Sequence, residues 1–377
     1  MTNEGIKVGL DMARLCRSVL LEKKLKPDYL EQLDLDKLLR VCEYHCLTAM
    51  VCMALEYNGI TPDAKWTQAK SKAIRKNMLL DAERAQITAF LEQEHIWYMP
   101  LKGSILKDFY PRAGMRQMAD NDILYDQTRQ KDVVKIFRTL GYDTESIGKT
   151  HHDVFFREPL YNFEMHTSLV GKTSAMYSYY ADIKEKLLPV EGKSYEYRFS
   201  DEDFYIYMTA HAFKHYSGGG TGFRTLTDYY IYLKEKETSM DWAYIHAELA
   251  KLSMDDFEKQ IHSTAMKYFA PQITLNAEEK KMLRYMLGSG TYGNIDNWID
   301  AQADRLNAKN KSTYLFRRFF PSMEWWRNYY PSTAKYPFLI VPFFFYRLLR
   351  MVTVRRKQII EELRVIHHRN KKIYGRE

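Results

Sequence analysis

The chain has 377 residues, a length that is compatible with two or three packed units. Of these residues 46% are hydrophobic and 14% aromatic, a composition that excludes wholesale disorder. The net charge is +8, but residues 346–377 alone hold ten lysines and arginines against three glutamates, a surplus of seven. The remainder is therefore nearly neutral, which argues against an extended groove for nucleic acid.

The first residues lack the basic-then-apolar pattern of a secretory signal, so we expect a cytoplasmic protein. All four cysteines lie within the first 52 residues, without paired spacing. Buried thiols in a reducing compartment are the preferred interpretation, and a zinc site of Cys42, His45 and Cys46 is the alternative. The longest apolar run, residues 336–346, is shorter than the roughly 20 residues that span a bilayer.

Residues 1–94 are predicted to form an N-terminal helical region. Apolar side chains recur mostly at spacings of three and four over residues 8–58, which is typical of short amphipathic helices. Asn58-Gly59 and Pro62 mark a break. A single long helix is then expected over 64–94.

The pattern changes over residues 95–172, where short apolar runs alternate with turns. Predicted strands are 95–101, 120–125, 154–156 and 162–168, and predicted helices are 104–109 and 127–140. The last two strands are joined by a turn at Pro159. These elements predict a small mixed sheet with helices on one face.

Residues 173–330 are predicted to be a helical domain, followed by an aromatic and basic tail over 331–377. The predicted helices are 174–188, 202–216, 223–236, 240–251, 255–270 and 276–287. The fold class is therefore expected to be α+β, with a small mixed-sheet core flanked by helical regions and a predominantly helical chain overall.

Asp120 and Asp122 form an Asp-x-Asp pair at the start of the strand predicted over 120–125. Residues two apart on a strand share a face, so both carboxylates point the same way while Ile123 faces the core. Paired carboxylates suit Mg²⁺ and the two-metal chemistry of phosphoryl transfer. The alternative is an exposed acidic strand end.

Glu164 is the best candidate for a third carboxylate. Alternation along the strand places it on one face with His166, opposite Phe163 and Met165. From there Glu164 would accept a proton from an acceptor or complete the metal shell, with His166 beside it. The alternative is the polar face of an edge strand.

Lys102, Gly103 and Ser104 precede a short predicted helix, an arrangement that suits a phosphate cradle as well as an ordinary helix cap. Arg116 would either neutralise triphosphate charge or pair with an aspartate. Lys214 is a candidate for a proton-transfer or phosphate contact. Arg224 and Asp228, four apart on a predicted helix, are expected to form an intrahelical ion pair.

These motifs and their order over about residues 100–235 resemble the uncharacterised bacterial nucleotidyltransferase family of the polymerase-beta-like nucleotidyltransferase superfamily. The residues that carry the resemblance are Leu101-Lys102-Gly103, Tyr110-Pro111, Arg116, Asp120-x-Asp122-Ile123-Leu124, Leu140-Gly141-Tyr142, Glu164-x-His166, Ala210-His211-x-x-Lys214-His215, Arg224 and Asp228. Where the superfamily usually has a third aspartate, this chain has a glutamate.

The resemblance implies that two Mg²⁺ ions bind Asp120, Asp122 and Glu164 and that a nucleoside triphosphate is the substrate. A nucleoside monophosphate would pass to a hydroxyl-type acceptor on a small molecule, sugar or protein. The alternative is a catalytically inactive relative that serves for binding or scaffolding. Its basic tail, residues 335–377, would make peripheral membrane contact, and nucleic acid is not an expected partner.

Overall fold

The computed structural model describes residues 3–308, 310–330, 332–353 and 356–373. The chain divides into two compact units. The first comprises Met1–Phe213 with Gly222–Thr291, and the second comprises Lys214–Thr221 with Tyr292–Glu377. The three carboxylates of the expected metal site all lie in the first unit.

The first unit begins with helices whose bounds are α1 (Asn3–Leu20), α2 (Pro27–Leu30), α3 (Leu35–His45), α4 (Thr48–Tyr57) and α5 (Ala64–Gln93). The Asp63 carboxylate caps α5 by accepting hydrogen bonds from the N–H groups of Lys65 and Trp66. The buried side chains of α5 recur at spacings of three, four and seven, so one stripe of this helix faces the core. The long helix expected over 64–94 is confirmed to within one residue.

A mixed five-stranded sheet follows, with strands β1 (Tyr98–Pro100), β2 (Asn121–Tyr125), β3 (Asp143–Ser146), β4 (His152–Arg157) and β5 (Tyr161–His166). The strand order is β1-β2-β5-β4-β3. Strands β2 and β5 are parallel, whereas the other neighbours are antiparallel. The connecting helices are α6 (Lys102–Leu106) with a 3₁₀ turn at Lys107–Phe109, and α7 (Gln130–Thr139) after a 3₁₀ turn at Gln127–Arg129. The expected α+β class is confirmed.

One face of this sheet packs against α5 and α7. The core there contains Ile87 and Leu91 of α5, Phe137 of α7, and Phe155 and Phe163 of the sheet. The rings of Phe137 and Phe155 stack with centroids 4.1 Å apart. Because side chains alternate along a strand, burial of Phe163 and its neighbours sends the polar residues of β5 to the opposite face.

The sequence patterns missed one strand and predicted one helix wrongly. The edge strand β3 was not expected, because its polar sequence Asp-Thr-Glu-Ser shows no apolar alternation. The helix expected over 174–188 is instead a short α8 (Tyr177–Tyr180), a 3₁₀ turn at Ile183–Lys186, and a two-stranded ladder of β6 (Leu188–Pro189) and β7 (Tyr197–Arg198). Pro189 cannot continue a helix, and Gly192 adopts φ +75° in the turn between the strands.

The first unit ends with α9 (Asp201–Tyr216), α10 (Arg224–Lys236), α11 (Trp242–Lys251), α12 (Asp255–Phe269) and α13 (Ala277–Ser289). These bounds agree to within two residues with the helices expected there. The last residues of α9, from Lys214 onward, group with the second unit. Helix α13 begins with a reciprocal capping box between Asn276 and Glu279.

The second unit contains α14 (Ile295–Arg305), α15 (Lys311–Phe319), α16 (Met323–Tyr329), α17 (Ser332–Lys335), a 3₁₀ turn at Pro337–Leu339, α18 (Ile340–Thr353) and α19 (Arg356–Ile373). Its small core includes Ile299, Tyr314 and Ile366. Within the described parts of the chain, none of the helices has both the length and the apolarity needed to cross a membrane.

Candidate functional site

Three carboxylates lie within electrostatic reach of one another at the β2–β5 pair. Asp122 on β2 is the register partner of Glu164 on β5, so both side chains project from neighbouring strands on the same side of the sheet. Asp120 comes two residues before Asp122. Burial, followed by the negative charges of Asp122 and Glu164, raises the pKa of Asp120 to about 7. The three acids therefore share one electrostatic environment.

His166 forms a hydrogen bond with Asp122, one of these three carboxylates. Its Nε2 lies 2.9 Å from Oδ1 of Asp122 and 3.7 Å from Oε2 of Glu164. Burial alone would raise the pKa of Asp122, but the hydrogen bond from His166 and the charges of nearby His152 and Lys102 lower it overall. Asp122 is thus kept ionised, as a metal ligand must be.

Three donor groups of this site, among which Asp120 is not found, are spaced closely enough to share a cation. Oxygens of Asp122 and Glu164 and a ring nitrogen of His166 all lie within 4.8 Å of one another. A second group with the same spacing is His151, His152 and His166. Among the described residues, Cys42, His45 and Cys46 do not form such a group. The ring nitrogens of His45 instead contact the carbonyl of Leu287 and the N–H of Phe223.

The Lys-Gly-Ser segment lies in the first turn of α6, which begins at Lys102 rather than at Ser104. The buried Ser104 hydroxyl donates a hydrogen bond to the carbonyl of Leu101, 2.8 Å away. A methyl group added to Gly103 would lie 3.1 Å from Cε of Met118 and 3.4 Å from a guanidinium nitrogen of Arg116. A larger residue at this position would therefore require the end of the Met118 side chain to shift by a few tenths of an ångström.

Lys102 is the cation of this segment. Burial, and to a lesser extent the charges of Arg116 and Arg224, lower its pKa to about 8, although Asp228 and Asp122 act in the opposite direction. Its ammonium group is therefore mostly, but not fully, protonated at neutral pH. It also helps to hold the pKa of Asp122 down.

Arg116 forms a buried bidentate ion pair with Asp228 of α10. Its Nε lies 2.8 Å from Oδ1 and its Nη2 lies 3.1 Å from Oδ2 of that carboxylate. The hydroxyl of Tyr110 donates a further bond of 2.8 Å to Oδ1. The expected intrahelical pair of Arg224 and Asp228 is therefore wrong, because Arg224 instead donates to the carbonyl of Gln117. A contact between Arg116 and a phosphate group stays a prediction.

The loop that leads to Asp120 is fixed by helix α5. The amide of Asn77 donates to the carbonyl of Arg116, 2.8 Å away, and accepts a bond of 2.9 Å from the N–H of Met118. Arg84 donates to the side chain of Asn121, which in turn donates to the carbonyl of Leu80. The backbone on both sides of Asp120 is thus tied to one long helix.

Lys214 belongs to the second unit, and its assignment to the nucleotide stays a prediction.

Sequence reasoning missed other residues near the carboxylates. Tyr207 of α9 is buried, and the charges of Asp122 and Glu164 add to that burial in raising the pKa of its hydroxyl. His152 lies 3.8 Å from Glu164 through its Nε2. The sequence could have identified His152, because a hairpin that turns at Pro159 brings this residue opposite His166.

Comparison with known proteins identifies the family to which this chain belongs. Residues 31–270 match a family described as uncharacterised nucleotidyltransferase, which covers well over half of the chain. A solved structure of an antigenic nucleotidyltransferase-like protein from Paracoccidioides brasiliensis is 12% identical, with a TM-score of 0.30, and the match covers 51% of this chain and 93% of that one. No curated protein matches the chain. Because the matched residues include every element of the carboxylate site, we conclude that the chain belongs to this nucleotidyltransferase family.

Proposed function

We propose that this protein is a magnesium-dependent nucleotidyltransferase that moves a nucleoside monophosphate from a nucleoside triphosphate to a hydroxyl-type acceptor. The acceptor would be a small molecule, a sugar or a protein. The observation that carries the proposal is the side-by-side placement of Asp122 and Glu164 on parallel strands, with Asp120 two residues upstream. Family membership supports the class of reaction.

The donor set fits magnesium. Asp120, Asp122 and Glu164 offer carboxylate oxygens, the ligands that Mg²⁺ prefers. Burial and then the negative charges of Asp122 and Glu164 raise the pKa of Asp120, and a divalent cation would relieve the repulsion among these charges. These three residues would hold the expected two ions. When bound, Mg²⁺ neutralises the charge of the triphosphate and stabilises the attacking and leaving oxygens.

The remaining residues would position the substrate. Lys102, Gly103 and Ser104 of α6 precede the Arg116 loop, and we assign them to the triphosphate side of the site together with His166. The ammonium group of Lys102 supplies positive charge within electrostatic reach of Asp122. The hydroxyl and the N–H of Ser104 both donate to the carbonyl of Leu101, so Ser104 would order the turn that presents Lys102 and Gly103 to the triphosphate.

The proposed transfer balances as an in-line displacement. The acceptor oxygen forms a bond to the α-phosphorus, the bond from that phosphorus to the bridging oxygen of the β-phosphate breaks, and pyrophosphate leaves. Glu164, opposite Asp122, would accept the proton of the acceptor hydroxyl. Asp122 remains ionised throughout, because His166 stabilises its charge.

Binding of radiolabelled ATP, GTP, CTP and UTP, measured by equilibrium dialysis with Mg²⁺, tests the proposal. The double variant Asp120→Asn/Asp122→Asn should weaken binding by more than about 100-fold, beyond the loss typical of outer-shell partners of a metal. The matched control is Asp182→Asn, an exposed aspartate of the same unit, which should bind as the wild type does. Equal binding by the double variant would refute the assignment.

Turnover separates the enzyme from its non-catalytic alternative. Pyrophosphate release from a bound triphosphate, in the presence of pooled sugars, alcohols and proteins, is the expected result. Binding that depends on Asp120 and Asp122 but yields no pyrophosphate with any acceptor would assign the chain to a binding or scaffolding role.

A second candidate activity, peripheral contact with an anionic membrane surface, is favoured by an exposed stripe on the second unit. Phe338, Val341, Phe345 and Leu349 are each more than 60% exposed. The last three recur every four residues along α18 and so share one side of that helix. Arg350, next to Leu349 in the chain, is also exposed, and the strongly basic tail, whose charge complements acidic lipid, adds to the attraction.

Cosedimentation with vesicles containing phosphatidylserine tests this contact. We expect wild-type protein to bind them and to bind pure phosphatidylcholine vesicles weakly. Val341→Glu/Phe345→Glu should abolish binding, whereas Ile273→Glu, at an exposed apolar side chain of the first unit, should leave it unchanged. Equal binding by both variants would exclude the stripe as a membrane contact.

A further inference from the structure

Three histidines border the carboxylate site on the same sheet. His152 at the start of β4 is the register partner of His166 at the end of β5, and His151 precedes His152. Their ring centroids are 4.7, 5.2 and 5.8 Å apart. One ring nitrogen from each histidine lies within 4.8 Å of one from each of the others. Three imidazoles at such spacing suit a shared cation.

The environment of His166 would suit a metal ligand. Its Nε2 lies 2.9 Å from Oδ1 of Asp122, whereas its Nδ1 is buried and has no hydrogen-bond partner among the described residues. An Nε2–H donated to Asp122 leaves a lone pair on Nδ1. Histidines that bind metals commonly donate their other N–H to a carboxylate, which orients the ring and increases its basicity. A buried nitrogen without a partner is otherwise costly.

The backbone around the histidines is already fixed. The carbonyl of His151 accepts a hydrogen bond of 2.9 Å from the N–H of Thr167 and one of 3.1 Å from its hydroxyl. These hydrogen bonds join the residue after β5 to the residue before β4. The three histidines therefore lie at the hydrogen-bonded ends of one hairpin. A preorganised set of ligands loses less entropy when it binds an ion.

We propose that His151, His152 and His166 bind a divalent transition-metal ion of the Zn²⁺ class, at a site separate from the magnesium of the carboxylates. Imidazole nitrogen favours zinc, copper, nickel and iron, whereas Mg²⁺ takes oxygen ligands. Three protein ligands leave a fourth tetrahedral position for water or for an oxygen of a bound substrate. The site thus goes beyond the proposed function, which uses only the carboxylates for metal.

Cobalt titration of the full chain, prepared without a histidine tag and stripped of metal, tests the site. Co²⁺ substitutes for Zn²⁺ and has a visible absorption band when it is tetrahedral. With excess Mg²⁺ present to fill the carboxylate site, we expect one equivalent of Co²⁺ to produce this band and Zn²⁺ to displace it. Absence of a saturable band in the wild type would overturn the proposal.

Matched variants locate the ion. His151→Gln/His152→Gln should abolish the band, and His246→Gln, at an exposed histidine of α11, should keep it. The melting temperature of each metal-free variant checks the fold. Should the double variant unfold, His151→Gln alone is expected to weaken Co²⁺ binding by at least about 10-fold. Retention of full affinity by these variants would overturn the assignment.

A carboxylate variant separates this site from the proposed function. Asp120→Asn should lose binding of magnesium triphosphate and keep the cobalt band. Loss of the band in Asp120→Asn would place the ion at the carboxylates and overturn the histidine site. An intact band together with unchanged triphosphate binding would refute the proposed function but leave the histidine site standing.

Discussion

The residues that hold the site in place are different from those that would hold metal. Arg116, Asp228 and Tyr110 form a buried network in which every charged oxygen and nitrogen described above has a partner. Burial would raise the pKa of Asp228, but the adjacent guanidinium of Arg116 lowers it overall. Such a network fixes geometry because any member left unpaired is strongly destabilising.

Arg116→Ala should lower the free energy of unfolding by about 3–5 kcal/mol, because it leaves the Asp228 carboxylate buried without its counter-charge. Urea denaturation measures this loss. Lys281→Ala is the matched control, since Lys281 and Glu278 form an exposed pair that contributes roughly 0–1 kcal/mol. Similar unfolding energies for the two variants would show that the buried pair does not stabilise the fold.

His45 gives the first unit a specific dependence on pH. Its buried ring accepts a hydrogen bond from the N–H of Phe223 and donates one to the carbonyl of Leu287, so it links α3 to the residue that precedes α10 and to α13. Burial lowers its pKa from 6.5 to about 4, although the Leu287 carbonyl opposes that shift. A protonated ring has no lone pair with which to accept the Phe223 N–H.

Between pH 6.5 and about 4 the unfolded chain binds a proton at His45 that the folded chain rejects. This contribution to stability is complete above pH 6.5 and is lost as the pH falls, up to about 3 kcal/mol. His45→Gln should therefore flatten the unfolding energy measured across this range, and His246→Gln should not. A wild-type slope retained by His45→Gln would contradict the assignment.

At the scale of elements, helix α5 determines where the Asp120 loop lies. One amide side chain, Asn77, bonds to the backbone of both Arg116 and Met118. Further along the helix, Arg84 and the carbonyl of Leu80 hold Asn121 at the start of β2. The acid pair of the site therefore depends on contacts with a helix that carries none of the proposed metal ligands.

Asn77→Leu should lower the free energy of unfolding by about 2–4 kcal/mol, because it removes two hydrogen bonds and leaves buried backbone groups unsatisfied. Affinity for magnesium triphosphate should also fall, since the loop before Asp120 loses its support. The control is Met78→Ala, at a neighbouring side chain that is 66% exposed. Thermal melts and dialysis report the two effects, and wild-type behaviour of Asn77→Leu in both would contradict this role.

Apolar alternation in the sequence predicted the strands that contain the acidic residues. Secondary structure was predicted wrongly where this alternation or a helical spacing is weak. Alternation placed Glu164 and His166 opposite Phe163, as the structure shows. Strand β3 has no such alternation, and the 174–188 region contains apolar residues but forms only a short helix and a 3₁₀ turn. The pairing of β2 with β5 joins strands far apart in sequence, so no local signal fixes which residue faces Asp122.

At the scale of the whole molecule, charge is distributed unevenly. A tail surplus of seven accounts for nearly all of the net charge of +8, so the region that contains the carboxylate site is close to neutral. That balance suits recognition of a small charged substrate at a local site rather than a long polyanion. The same unevenness was visible in the sequence, whereas the grouping of Lys214 with residues 292–377 depends on tertiary contacts and was not.

In the proposed site Glu164 shares divalent cations with the Asp120–Asp122 pair. Dialysis of a labelled nucleoside triphosphate against increasing Mg²⁺ tests it with Glu164→Gln and with Glu145→Gln, an exposed control on the same sheet. We predict that Glu164→Gln needs at least about 10-fold more Mg²⁺ for half-maximal binding, while Glu145→Gln follows the wild type. Superimposable Mg²⁺ curves for Glu164→Gln and the wild type would show that Glu164 does not bind the cations.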